Sequence, residues 1–290
     1  IDGLRLDVAD ELSDEFIEGI RDSVKKNNED GFILGEVWKN PMRMNRSYIE
    51  SGKGMDSVMN YILIDSLIRY FKYSDIETIR RVLNELIYEY PTDTLNSLMN
   101  FTSTHDISRA INIFSSYEFS SNREWVWDLN DDRNWQKNYK LSKGQYEKGK
   151  KIYKSYIFTL AFLPGNLSIF YGDEIGLEGM GNLSNRKSFP KKIKDLELLK
   201  FFKYIGNIRK NEKELETADL CIKDINNNYF MFERKSNDTN YIITVNRSDE
   251  SINISIPTDY EKTYILNKVE ENKLESHGGI VLKKRCKHHL

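Results

Sequence analysis

Two cysteines in 290 residues, Cys221 and Cys286, are too few for a disulfide scaffold, and neither sits in a metal-ligand or redox spacing. A free-thiol, cytoplasmic chain is expected. Charge of one sign is lacking as well: 43 basic and 45 acidic residues are spread along the chain and leave a formal charge of −2. That balance gives no basic field, so neither nucleic acid nor a membrane is an expected partner. No apolar run approaches the roughly 20 residues that span a bilayer. No signal peptide opens the sequence, which begins Ile1-Asp2-Gly3 and runs straight into a strand-like segment, so an upstream part is expected to be missing. No glycine-rich phosphate loop follows any apolar run. No Asp-rich loop of the usual calcium-binding kind is seen either, so no cofactor is expected and calcium is left open. What is present is a core: 39 % apolar and 12 % aromatic residues suffice for one large domain and a small one.

The order of patterns along the chain is strand, helix, strand, helix. Residues 1–8 and 32–37 read as strands, with a helix over 13–25 that carries Phe16, Ile17, Ile20 and Val24 on one face. A further strand is expected over 55–61, then helices over 62–71 and 75–90 and a short strand at 98–101. An apolar helix over 152–162 ends at Leu163-Pro164-Gly165, and a strand over 167–171 is closed by Gly172. Repeated β-then-α units imply a parallel sheet with right-handed crossovers. Acidic residues recur at several strand ends instead of at one switch point, which favours a barrel over a doubly wound sheet.

Only four or five strands precede a change of texture, whereas a closed barrel needs eight. The expected fold is therefore α/β: the later part of a (β/α)8 TIM barrel over residues 1–212, its early strands absent, followed by a small antiparallel β-sandwich domain over 213–290. As a free polypeptide it would expose an open parallel sheet edge. The boundary near Lys213 follows the helix expected over 193–211. Beyond it, short alternating runs at 229–234, 241–247, 252–256, 264–266 and 280–282 are separated by Asn-, Ser- and Asp-rich turns. The tail 283–290 holds Cys286, His288 and His289; a frayed, solvated end is expected there, not a metal site.

Three acidic residues each close a short strand-like run: Asp7 after Leu4-Arg5-Leu6, Glu36 in Gly35-Glu36-Val37-Trp38, and Asp106 after Phe101-Thr102-Ser103-Thr104-His105. Carboxylates at successive strand ends converge on one barrel mouth, an arrangement suited to glycosidic bonds. Arg5 shares a strand face with Asp7 and can hold it ionised and aim it, as a nucleophile requires. Glu36 follows one βα unit later, where a partly buried carboxyl can act as a general acid. Trp38 could stack on a sugar or simply pack. His105 and Asp106 could bond sugar hydroxyls, and Arg109 is either an ion-pair partner or a helix-face charge.

In order and approximate spacing, Asp2-Gly3-Leu4-Arg5-Leu6-Asp7-Val8-Ala9, Gly35-Glu36-Val37-Trp38 and Thr104-His105-Asp106 resemble three of the four short motifs of the α-amylase superfamily of retaining α-glucan hydrolases and transferases. The stretch from Pro164 to Leu177 is similar to the segment near that family's last barrel strand. Val8-Ala9-Asp10-Glu11 and Met55-Asp56-Ser57-Val58-Met59-Asn60-Tyr61 are most similar to the neopullulanase, cyclomaltodextrinase and maltogenic amylase group. The resemblance implies that Asp7 is the nucleophile, Glu36 the acid and then the base, and Asp106 the transition-state stabiliser. Arg5, His105, Glu11, Trp38 and Arg186 are the implied substrate-binding residues, and the implied partner is an α-glucan oligosaccharide: a maltooligosaccharide, a cyclomaltodextrin or pullulan. A homodimer through an N-terminal region outside this sequence is left open.

A retaining outcome would place the Asp7 and Glu36 carboxyls about 5–5.5 Å apart. Two features depart from the family pattern: its first motif is absent, and the usual acidic residue and proline before Asn-Arg are replaced in Asn182-Leu183-Ser184-Asn185-Arg186. A non-catalytic glucan-binding relative or inactive fragment, and an α-glucan transferase, are the alternatives.

Overall fold

The computed structural model describes residues 1–44, 46, 49, 52–129 and 133–286. Strand β1 (Gly3–Leu6) leads through a 3-10 turn to helix α1 (Asp14–Asn27) and back to β2 (Phe32–Gly35). Then come β3 (Ser57–Val58), α2 (Tyr61–Tyr73), α3 (Ile76–Glu89), α4 (Thr92–Ser97), β4 (Met99–Phe101), α5 (Ala110–Ser115), α6 (Arg133–Asn138), α7 (Lys143–Phe162) and β5 (Asn166–Ser168). Helices α8 (Gly181–Ser184) and α9 (Leu196–Asn211) complete this part.

The five strands run parallel in sequence order. β1 pairs with β2 from Gly3↔Phe32 to Leu6↔Gly35, β2 with β3 at Leu34↔Ser57, and β4 with β5 at Met99↔Asn166. Between β3 and β4 the ladder is reduced to one parallel bridge, Met59↔Met99. Side chains reinforce it: buried Asn60 donates to Asn100 Oδ1 at 2.8 Å, and Asn100 donates to the Pro164 carbonyl at 2.7 Å. The outer edge of β1 has no strand partner among the described residues.

Local chemistry explains the helices. Ser13 caps α1 by accepting from Phe16 N, with Asp14 and Glu15 in the first turn and Lys25 and Lys26 in the last. The expected apolar face of α1 is only partly covered. Ile17 is fully buried, but Phe16 is exposed and, with Ile1, Leu4, Ile20 and Val24, lines an open groove of about 800 Å³ beside β1. Helix α7 starts nine residues earlier than the apolar pattern suggests, because Ser142 and Gln145 form a reciprocal capping box ahead of a polar first half. The strand expected over 55–61 shrinks to two residues, since Tyr61 already begins α2. The strand expected over 167–171 stops at Ser168.

An antiparallel sheet follows, built from β6 (Asp219–Ile225), β7 (Tyr229–Lys235), β8 (Thr239–Asn246), β10 (Glu261–Leu266) and β13 (Gly279–Arg285) in the order β10-β13-β8-β7-β6. Short strands β9 (Ile252–Asn253), β11 (Val269–Glu270) and β12 (Lys273–Leu274) make a second sheet. One face of the large sheet, through Ile280, Leu282 and Ile242, packs on Ile252, Val269 and Leu274. Its other face, through Phe230, Phe232, Tyr241, Ile243 and Val281, joins α7 in the main core. The metal question at the tail falls partly on 287–290, outside the described residues.

Candidate active site

The carboxyl ends of β1 and β2 are tied together by a strained turn. Val8, the residue after Asp7, sits in the left-handed region at φ 47°, ψ 46°, an unfavourable conformation for a β-branched residue. That turn aims the Val8 N–H at Glu36 Oε2, at 2.9 Å, while Ala9 N reaches the Glu36 carbonyl at 2.9 Å. Glu36 is 6 % exposed and takes two further bonds: the Arg5 Nη2 ion pair at 3.1 Å, and Trp38 Nε1–H to Oε1 at 3.2 Å. The same guanidinium grips Asp7 through Nη1. One arginine therefore bridges both carboxylates. Asp7 itself is not poorly solvated, as a strand-end carboxylate would be if enclosed; its side chain is 71 % exposed and open to a ligand.

Beyond Glu36 lies an aromatic cluster. Trp38 stacks on Tyr61 with ring centroids 4.3 Å apart at 13°, and meets Trp125 and Trp127 edge-on. Burial raises the Tyr61 hydroxyl well above its ordinary range, and the nearby Glu36 and Asp106 carboxylates add to the effect. Trp125 and Trp127 were not singled out by sequence reasoning, and Tyr61 entered only as the last residue of the Met55–Tyr61 motif. Their signal is weak, since an aromatic at a helix start or in a loop looks like ordinary core.

The third carboxylate, Asp106, receives His105 Nε2 at 3.0 Å and Arg186 Nη2 at 3.1 Å. Arg186 Nε also donates to the His105 carbonyl at 2.9 Å. Neighbouring Asn185, wholly buried, donates through Nδ2 to the carbonyls of Thr104 and Ile107, pinning the Asn182–Arg186 stretch beneath the His105-Asp106 loop. Arg109 is the ion-pair partner and not a helix-face charge: fully buried, it contacts Asp173 Oδ1 at 3.1 Å, donates to the Asn185 carbonyl at 2.9 Å and to the Tyr171 carbonyl, and lies over Phe170. Burial raises the Asp173 carboxyl above its ordinary value. Arg109 and the hydroxyls of Ser103 and Thr102, at 2.5 and 2.6 Å, oppose that rise. Glu11, on the 3-10 turn after β1, is exposed.

The structure thus joins Arg5, Asp7, Glu36 and Trp38 in one bonded set and His105, Asp106 and Arg186 in another. Tyr61 lies close enough to both sets to feel their carboxylates. Among the described residues, no three His, Cys, Asp or Glu side chains come together as a metal-holding group. No described helix is long and apolar enough to cross a membrane.

Parallel strands in sequence order, alternating for the most part with helices and with acidic residues just past the carboxyl ends of three of them, define the βα-barrel class. The chain belongs to the alpha-amylase family, whose catalytic-domain description matches residues 1–239. It is similar to the cyclomaltodextrinase of Geobacillus thermopakistaniensis, with 28 % identity over 274 residues, covering 92 % of this chain and 40 % of that protein. It is also similar to neopullulanase 2 of Thermoactinomyces vulgaris, with 26 % identity over 273 residues, covering 91 % of this chain and 40 % of that one. The chain therefore spans about two fifths of the length of these relatives. Among solved structures, the ligand-free cyclic α-maltosyl-(1→6)-maltose hydrolase of Arthrobacter globiformis superimposes with a TM-score of 0.75 at 20 % identity, covering 99 % of this chain and 56 % of that one. That likeness concerns the fold.

Proposed function

We propose that this chain carries the catalytic carboxylates of a retaining hydrolase of α-glucosidic bonds in starch-derived oligosaccharides. In this reading residues 1–212 are the later part of the barrel, and 213–290 are a small β-sandwich domain. The carrying observation is that Arg5 bonds Asp7 and Glu36 at once. Two carboxylates within reach of one guanidinium suit the short separation of retaining chemistry, about 5–5.5 Å, and not the wider gap of inverting enzymes, about 6.5–9.5 Å.

Asp7, exposed and held by Arg5, attacks the anomeric carbon. Glu36 gives its proton to the departing glycosidic oxygen, so the C–O bond breaks as the Asp7 ester forms. Glu36 then takes a proton from water, whose oxygen displaces Asp7 and regenerates both groups. Asp106, oriented by His105 and Arg186, accepts sugar hydroxyls and balances the positive charge of the oxocarbenium-like state. Glu11 and Trp38 face the leaving group. A sugar acceptor in place of water would make the same ester a transfer intermediate. The names of the relatives, cyclomaltodextrinase and neopullulanase, support cyclomaltodextrins, maltooligosaccharides and pullulan as the substrate class. The two free thiols, Cys221 and Cys286, support a reducing compartment.

The test is glucose and maltose release from maltotriose and from a cyclomaltodextrin, with Glu36→Gln as control. Release by the parent chain that falls at least about 10³-fold in the variant is expected. A folded parent that releases nothing, or a variant that keeps its rate, would sink the proposal.

A further inference from the structure

We propose that Trp125, with Trp127 behind it, forms a sugar-stacking subsite for the second glucosyl ring on the leaving-group side, one ring beyond Trp38; this rests on the hydrolase reading above. The two indoles stack with centroids 5.4 Å apart at 9°, and Trp38 lies edge-on to both, at 5.7 Å from Trp125 and 6.3 Å from Trp127. Trp38 is bonded to Glu36, the group that protonates the leaving oxygen. The ring contacts thus run from the acid through Trp38 to Trp125 and Trp127. Trp127 is 4 % exposed, while Trp125, covered on one face by Trp127, stays half-buried.

Two features distinguish this cluster from plain core packing. The Trp127 Nε1–H is buried without a hydrogen-bond partner among the described residues, an unmet polar group inside the cluster. The segment carrying both indoles is also clamped from below by a buried ion pair on α2. Arg69 bonds Asp65 and donates to the carbonyls of Ser121, Arg123 and Glu124, the last two at 2.9 Å, and Asp65 Oδ1 accepts from Val126 N at 2.8 Å. Burying such a pair gives little net stability. Three Arg69 bonds and one Asp65 bond directed at one loop backbone fix the position of the segment that carries Trp125, as a binding surface requires.

The experiment compares kcat/KM for maltotetraose, which can place two sugars on the leaving-group side, with kcat/KM for 4-nitrophenyl α-maltoside, which places one aryl ring there. In Trp125→Leu, which keeps apolar volume and loses the π-face, the oligosaccharide-to-aryl ratio is expected to fall about five- to ten-fold. Trp125→Tyr is expected to restore most of it. A ratio within two-fold of the parent in folded Trp125→Leu, or an equal fall in the tyrosine variant, would overturn the subsite and leave the hydrolase reading intact. A parent that cleaves neither substrate would overturn the hydrolase reading and the subsite with it.

Discussion

Removing the Arg109 side chain tests whether the floor under Asp106 is held by charge. Arg109→Met keeps most of the apolar stem against Phe170 and Tyr171 but strands Asp173, which is 1 % exposed. Breaking one partner of a buried pair costs about 3–5 kcal/mol, because the remaining charge is left uncompensated. For a chain of this length that corresponds to a fall in Tm of about 5–8 °C. The pH dependence follows from the sign of the shift. Burial already raises the Asp173 carboxyl, and Arg109 is the largest influence opposing that rise. Without Arg109 the folded state holds the proton to higher pH than the unfolded chain does. The deficit is then full at neutral pH and shrinks as pH falls through the raised folded value.

Urea unfolding followed by circular dichroism at pH 7.5 and pH 5 reads both effects. Arg109→Met combined with Asp173→Asn removes the stranded charge and keeps an acceptor for Thr102 and Ser103, so it should recover at least half of the loss. The reasoning fails if Arg109→Met costs less than about 1 kcal/mol at pH 7.5, if its deficit grows on acidification, or if the double variant is no more stable than the single one.

Arg5→Lys supplies one point charge where a fork bridges two carboxylates, so kcat on maltotriose should drop about 10²-fold with the fold intact; a drop of less than three-fold would contradict the bridging role. Lys72, whose Nζ donates to the Ile113 and Ser116 carbonyls, is lowered by burial to about 7. Its contribution is therefore full above the unfolded value and is lost as pH falls through about 7. Lys72→Met should gain on the parent by about 3 kcal/mol between pH 9 and pH 6, and parallel stability curves would dismiss this. Val8→Gly relieves about 1–2 kcal/mol of left-handed strain and gives back about 0.5–1 in chain entropy. Chemical denaturation should show a small gain in stability, accompanied by slower turnover because the Val8 N–H is less firmly aimed. A loss of stability would mean that the turn is not strained.

Sequence reading located what is local. Apolar alternation marked β1 and β2, and the acidic residue that ends each follows from the strand itself. Long-range partners left no such trace. Arg109 and Asp173 are 64 positions apart, and a buried arginine is indistinguishable from a solvated one until the helix carrying it is packed. The start of α7 was obscured by lysines and glycines, although Ser142 and Gln145 carry the capping signal. Strand β6 was overlooked because Asp219-Leu220-Cys221-Ile222-Lys223-Asp224-Ile225 breaks the alternation, with three apolar residues followed by two charged ones, and lies at the sheet edge. Arg69 and the Trp125 loop meet only through tertiary packing, 52 or more positions apart.

The inner face of the antiparallel sheet shares one core with α7, and buried Arg234 on β7 donates to the Phe162 carbonyl at 2.6 Å, across the end of that helix. Mechanically, the sheet acts as a keel. A pull or a protease cut after Asn211 would not free a self-contained module but would strip the cover from Phe158, Phe162 and Tyr70, so hydrogen exchange in α7 and in β7–β8 should report one shared opening event rather than two. Selection on the sheet is then selection on the packing of α7, and substitutions that loosen Phe230 or Tyr241 would be felt in the same core as Phe158 and Phe162.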